Sequence, residues 1–249
     1  MLKRERLRFI LEELRTYNKV LSVELSEKLN VSEDTVRRDI RELSKQGKLK
    51  KVYGGAISVS YIPITHKERE VYAHEEKVEI VRKARSLISD EDVIFIDGGT
   101  TNLEFARLLP EGLKATVITN SLPIALQLTD HPTIELIFFG GKILKSAQVS
   151  IGIEVITALE DIRANICFIG TRSLDPEIGL TDLDREEAQV KKALLRNSEE
   201  IISLAISEKL YTYQQYRICD VTKINTLVTE LSPDDPKLIP FLEKGLCIL

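Results

Sequence analysis

From residue 77 onward the chain alternates short apolar runs with amphipathic stretches, and this alternation restricts the fold more than any other feature. Apolar runs fall at 93–96, 115–118, 134–139, 166–169, 201–205, 226–228 and 246–249. Helical patterns lie between several of them, at 101–109, 122–128 and 185–196. Strands that alternate with helices predict a mostly parallel sheet covered by helices, an α/β fold. There is no internal repeat and no low-complexity tract. No run of about 18 apolar residues exists to span a membrane.

The first sixty residues follow a different rhythm. Leu7, Ile10, Leu11 and Leu14 mark one face of a helix. Residues 22–29 predict a short second helix with Ser22 as its N-cap and Leu25 and Leu29 turned inward. Asn30-Val31 makes a tight connection. Ser32 then caps a third helix from Glu33 to about Gln46, which Gly47 stops. Val36, Ile40 and Leu43 face the other helices and leave Thr35, Arg37, Arg38, Arg41 and Lys45 outside. A short helix, a turn and a second helix with an arginine-rich face suit the major groove, where arginine can donate two bonds to guanine and Ser32 and Thr35 suit phosphate or thymine. Periodicity alone would equally allow a three-helix bundle with a solvated basic face.

Residues 48–53 and 56–60 both alternate, with Gly54-Gly55 between them, which predicts a hairpin. Such a wing would lay Lys48, Lys50 and Lys51 beside a phosphate backbone. Charge agrees: residues 1–60 carry 14 Lys/Arg and 9 Asp/Glu, whereas the remainder is net −9. A basic head on an acidic body places a polyanion at the head.

The stretch Val31-Ser-Glu-Asp-Thr-Val-Arg-Arg-Asp-Ile-Arg-Glu-Leu43, followed by Gly47-Lys-Leu-Lys-Lys-Val-Tyr-Gly-Gly-Ala56, resembles the recognition helix and wing of the DeoR family of bacterial regulators. Ser32, Thr35, Arg37, Arg38, Asp39, Gly54 and Gly55 fill the family pattern; Lys51 stands where arginine is more usual. The resemblance implies a winged helix-turn-helix in residues 1–60 that binds double-stranded operator DNA through Ser22, Ser32, Thr35, Arg37, Arg38, Arg41, Lys50, Lys51, Tyr53, Gly54 and Gly55. Residues 61–76, with Pro63 and many charges, read as a linker into a new helix, and residues 77–249 as an effector-sensing domain. His66 and His74 in this stretch read as solvated.

Four features sit at predicted strand ends, where open α/β sheets bind ligands. Asp97-Gly98-Gly99-Thr100-Thr101-Asn102 follows a strand and opens a helix, whose N-terminus favours an anion. Thr119-Asn120-Ser121 and Gly140-Gly141 follow two further strands, and Lys209 lies just beyond another. Each alone reads equally as a turn, a cap or a surface charge; their convergence favours a site. These segments, with Gly152 and Gly179-Leu180-Thr181, also resemble in order the DeoR-family sensor domain, whose fold is shared with sugar-phosphate isomerases. That resemblance implies that Asp97, Gly98, Gly99, Thr100, Thr101, Asn102, Thr119, Asn120, Gly140, Gly141, Gly152 and Lys209 hold a phosphorylated sugar or related metabolite. It also implies a homodimer or higher homo-oligomer. Ile206, Ser173 and Glu230 depart from the family's usual residues, as does the region of Asn165, and bear on the effector more than on the fold.

The resulting expectation is a transcriptional repressor, not an enzyme, with no metal and no cofactor. Isomerisation needs a carboxylate base beside a bound carbonyl. Asp97, Asp182, Asp184 and Glu186 are available, but no spacing singles one out. A DNA-binding protein whose sensor pocket has decayed is a third reading. The N-terminus MLKRERLRFI does not read as a signal peptide. Cys167, Cys219 and Cys247 have no metal spacing and read as reduced thiols, so a cytoplasmic location is expected.

Overall fold

The apolar stripe through residues 7–14 forms the inner face of helix α1 (Lys3–Tyr17) in the computed structural model, which describes residues 2–17, 19–46, 48–58 and 66–249. The chain divides into two compact units, Met1–Ile62 and Pro63–Leu249.

In the first unit, α1 is followed by β1 (Lys19–Leu21), α2 (Ser22–Leu29), α3 (Glu33–Lys45), β2 (Leu49–Val52) and β3 (Gly55–Ser58). Asn30 makes the tight connection between α2 and α3 in the left-handed conformation, at φ 50° and ψ 51°. Ser32 caps α3 by accepting a bond from the Thr35 amide at 3.3 Å. Val36, Ile40 and Leu43 pack on Ile10, Leu14, Leu25 and Leu29 in one apolar cluster. Burial of each such side chain contributes about 1.5–3 kcal/mol, which matters in a unit of this size.

The expected capping role of Ser22 is corrected. The cap position is Leu21, and Ser22 is the buried first residue of α2. The chain enters α2 from a strand, so a backbone carbonyl of the wing does the capping: the Ser22 amide donates to Gly54 O at 2.8 Å. That strand, β1, pairs antiparallel with β3 and makes the wing three-stranded, in the order β1-β3-β2. Three residues are too few to show a period, which is why the sequence reading lacks it. Gly47, expected to stop α3, and residues 59 and 60 of the expected hairpin lie outside the described residues.

The second unit opens with α4 (His66–Val71) and α5 (His74–Ala84). Both begin inside the stretch expected to be linker. There follow β4 (Val93–Ile96), α6 (Thr100–Arg107), β5 (Thr116–Thr119), α7 (Leu122–Leu128), β6 (Glu135–Phe138), β7 (Lys142–Leu144), β8 (Val149–Ile151) and α8 (Ile153–Glu160). The chain continues through β9 (Ala164–Gly170), β10 (Ser173–Asp175), β11 (Gly179–Asp182), α9 (Arg185–Arg196), β12 (Ser198–Leu204), β13 (Tyr216–Cys219), β14 (Thr226–Val228), α10 (Ile239–Glu243) and β15 (Cys247–Ile248).

The seven apolar runs become one seven-stranded sheet, β15-β14-β12-β9-β4-β5-β6, parallel throughout. Both faces are buried, as a parallel sheet requires. Phe95, Ile118, Cys167 and Ile169 point into one cluster with α9, and Ile94, Ile96, Val117 and Phe168 into another with α5, α6 and α7. Phe105 of α6 stacks on Phe168 with ring centroids 4.2 Å apart. Two smaller antiparallel sheets, β7-β8 and β10-β11-β13, lie outside the expected pattern. They follow the ends of β6 and β9 and so crowd the end of the sheet where the loops gather.

Candidate functional site

On the first unit, Arg37, Arg38 and Arg41 stand exposed on α3, opposite its buried side. Arg37 is steadied by Glu33 at 2.7 Å and by Asp34 at 3.5 Å on its own helix. The hydroxyls of Ser32 and Thr35 meet at 3.0 Å across the helix start. Lys50 and Lys51 project from β2, and Tyr53 is fully exposed at the turn where Gly54 takes φ +76°. Ser22, Arg37, Lys51, Tyr53, Gly54 and Gly55, distant in sequence, line one groove of about 720 Å³. Gly55 is needed for packing, because a Cβ there would lie 2.0 Å from Val20 O on β1. Asp39 is scaffold: it is buried and accepts from Arg6 Nε at 2.7 Å and from Nη2 at 3.2 Å, joining α1 to α3.

In the second unit the ends of β4, β5, β9 and β12 bring the predicted loops together. Gly99 sits at the start of α6 with φ +128°, a conformation that L residues rarely adopt. Asp97 is fully buried; its Oδ2 accepts from the Gly170 amide at 2.9 Å, and its Oδ1 has no hydrogen-bond partner. Thr101 Oγ1 and Asn120 Oδ1 are also buried without partners. The same holds for the hydroxyls of Ser121, which the strand-end feature Thr119-Asn120-Ser121 included, and of Ser150, which the sequence reading did not mention.

Other predicted residues are occupied as scaffold. Asn102 Nδ2 donates to Asp97 O and Phe168 O, both at 2.9 Å. Thr119 Oγ1 donates to Ile96 O at 2.6 Å and accepts from the Ser121 amide at 3.0 Å. Thr100 Oγ1 donates to Arg69 O at 3.2 Å. At Gly98 a Cβ would strike Val149 at 2.2 Å, which explains that glycine by packing. Gly140 and Gly141 are exposed on the way into β7, and Gly152 caps α8, so Gly141 and Gly152 flank the paired Lys142 and Ile151. Lys209 reaches across to Thr171 O at 2.5 Å.

Charge is divided within this cluster. Lys191, buried on α9, lies 2.5 Å from Asp182, 3.1 Å from Glu187 and 3.7 Å from Asp97. Burial lifts Asp97 above the usual carboxylate range, and it lifts Glu187 to about 7. Burial opposes the charge on Lys191, yet Asp182, Glu187 and Asp97 outweigh it and hold the ammonium above its ordinary value. On the other side, desolvation and then Arg69 and Arg172 press Lys209 well below its ordinary value. Burial and Arg69 also bring Lys77 to about 8 and Arg172 to about 10. Glu187 and Lys191 had one signal in sequence: an acid and a base four residues apart on the apolar side of α9. Arg69 had only its place in the segment His66-Lys-Glu-Arg69, which resembles the family's entry into its sensor domain, and Arg172 had none.

The departures from the family pattern are accounted for locally. Ile206 is buried in the apolar cluster with Leu204 and Val228, so an aspartate there would be a buried carboxylate. Both Glu230 carboxylate oxygens accept from the Ser207 amide at 3.0 Å. Asn165 accepts from the Val93 amide at 2.9 Å, and Ser173 from Gln214 Nε2 at 3.1 Å. The expectation of a solvated His66 is corrected: its side chain is buried under α4, and burial lowers its pKa. Among the described residues no group of side chains is arranged to hold a metal ion, and no helix is long and apolar enough to cross a membrane.

Residues 6–61 match the DeoR-like helix-turn-helix domain, and residues 72–231 match the DeoR C terminal sensor domain. The chain is 32% identical over 240 residues to the HTH-type transcriptional repressor GlcR of Bacillus subtilis, covering 94% of this chain and 91% of that one. It is 32% identical over 235 residues to the lactose phosphotransferase system repressor of Lactococcus lactis, covering 92% of each. A ribose 5-phosphate isomerase from Methanocaldococcus jannaschii aligns at 19% identity with a TM-score of 0.42, over 55% of this chain and 54% of that one. Both matched domains are regulator domains and both relatives are named as repressors, so the activity here is regulation and not enzymatic turnover. This chain therefore belongs to the DeoR family of DNA-binding transcriptional regulators.

Proposed function

We propose that this regulator is a cytoplasmic repressor controlled by a phosphorylated sugar or a related metabolite, bound at the strand ends of the second unit. The observation that carries the reading is the set of buried, partnerless oxygens of Thr101, Asn120, Ser121 and Ser150. Each such group costs about 1–3 kcal/mol unless something meets it. A polyhydroxylated anion would meet them, with Lys209 supplying charge and Asp97 Oδ1 accepting from a hydroxyl. The names of relatives are compatible with a sugar, since one is a lactose phosphotransferase system repressor.

The DNA-binding residues in this reading are Arg37, Arg38 and Arg41 for the major groove and Lys50, Lys51 and Tyr53 for the backbone. The protein would act on a palindromic operator as a homodimer or higher homo-oligomer. The test is a thermal-shift screen of sugar phosphates on the full chain. An operator fragment selected from random DNA is then bound with and without the strongest hit. Failure of every compound to raise the melting temperature refutes the effector reading; unchanged operator affinity refutes the control.

A further inference from the structure

Helix α4 (His66–Val71) is the first described element of the second unit. Its Arg69 is held in an unusual way. The backbone is fixed to the strand-end loops: Arg69 O accepts from Thr100 Oγ1 at 3.2 Å and from Lys77 Nζ, which also donates to Tyr72 O at 2.5 Å. The side chain is only partly satisfied. Nη2 donates to Ser146 O at 3.2 Å, whereas Nε is shut off from solvent and meets no acceptor. The carboxylates that face the guanidinium are Asp182 and Glu187. Both are already bound to Lys191.

Cations gather here as well. Arg69 and Arg172 are the foremost charges acting on Lys209, followed by Lys77 and Lys191, and no carboxylate stands among them. Arg69 is likewise the foremost charge acting on Arg172, which Asp182 and Glu187 also face. Three cations thus converge from three elements: α4, the turn after β9 and the turn after β12. Like charges gathered in a poorly hydrated site repel strongly unless an anion lies between them. A guanidinium also offers paired donors that fit phosphate or carboxylate oxygens.

We propose that Arg69 is an effector ligand, and that with Arg172 and Lys209 it forms the cationic wall that receives the effector's anionic group. The proposal rests on reading this cluster as an effector site. Asp97, Asp182 and Glu187 group around Lys191, and Asp182 and Glu187 border the same cations. The effector would then be held at once by the strand-end loops and by the helix that continues the chain from the DNA-binding unit.

The experiment uses the full chain with inorganic phosphate, glucose 6-phosphate, ribose 5-phosphate and gluconate as probes; gluconate separates a carboxylate from a phosphate. Calorimetry compares wild type with Arg69→Gln, Arg69→Lys and a control, Arg82→Gln, on the exposed surface of α5. The strongest probe should bind Arg69→Gln at least tenfold more weakly. Arg69→Lys should fall between that variant and wild type, and Arg82→Gln should match wild type. Hydrogen exchange on wild type should show 66–72 and 98–105 protected together on binding. Protection at 98–105 without protection at 66–72, with Arg69→Gln or Arg69→Lys at wild-type affinity, overturns the proposal and leaves the effector site standing. No stabilisation of wild type by any probe overturns both. Should Arg69→Gln fail to fold, Arg69→Lys and the wild-type exchange data decide the question.

Discussion

Replacing Thr101 by valine separates effector binding from folding. Thr101 is 3% exposed, and its Oγ1 has no partner. Valine keeps the shape and the β-branch, so packing and helix propensity in α6 change little. An unmet buried hydroxyl costs about 1–3 kcal/mol, and the substitution removes that cost from the unliganded protein. A gain of about 1 kcal/mol corresponds to a rise of roughly 2–4 °C in melting temperature for a domain of this size. The liganded protein responds in the opposite sense. A hydroxyl bond to a charged oxygen is worth about 1.5–3 kcal/mol, so effector affinity should fall roughly 10- to 150-fold. Thermal unfolding without ligand and calorimetry with the strongest effector measure the two effects on one preparation. A variant that melts lower than wild type and binds effector equally well would refute the reasoning, because Thr101 would then be a structural hydroxyl. Gly99→Val is a poorer probe than the loop sequence suggests: at φ +128° any side chain strains the backbone of the unliganded fold as well.

Further outcomes follow from the same geometry. Asp39→Ala removes the buried carboxylate to which Arg6 donates and should destabilise the first unit by about 3–5 kcal/mol; unchanged exchange protection in α1 and α3 would contradict this. Arg38→Ala should cost about 1–3 kcal/mol and relax one operator position, whereas Lys50→Ala should weaken all sequences alike and lower the salt slope by about one; anisotropy titrations at several salt concentrations distinguish the two. Burial holds Glu187 at about 7 against an ordinary 4.5. The folded chain therefore keeps a proton that the unfolded chain has lost. This contribution is complete below pH 4.5 and is lost as pH rises through about 7. Glu187→Gln should flatten that decline in urea titrations at pH 5, 6 and 8, and an unaltered slope would count against it. Effector should change operator affinity by the same factor as operator changes effector affinity, typically about 1–3 kcal/mol; unequal factors measured in one buffer would show that the linkage is not a simple equilibrium.

The sheet was legible because its central strands are buried on both faces, and double burial writes a continuous apolar run. Each of the seven runs marks a strand of the one parallel sheet to within a few residues. α3 was legible for a similar reason: Val36, Ile40 and Leu43 keep the helical period, and Ser32 marks the start. Elements too short for a period, such as β1, β7 and β10, left no comparable trace.

The site was legible only in outline. Gly99, Asp97 and Thr101 were singled out as candidates because a glycine–hydroxyl loop after a strand has a local signature. Their neighbours do not share one. Arg69 lies in a stretch whose charges suggest solvent, and Arg172 and Lys191 resemble any surface cation until the sheet order carries β9 and α9 beside β4. Which polar atoms are engaged was equally hidden, since Thr100, Asn102 and Thr119 are the same residue types as Thr101 and Asn120 yet serve the scaffold. The sequence by itself determined the two domain types, the parallel sheet and the place of the strand-end loops, because periodicity, glycines and caps act over a few residues. The tertiary structure alone decided which hydroxyls lack partners and which cations gather, because both depend on residues distant in sequence, such as Arg69 and Lys209, 140 positions apart, whose charges act on each other.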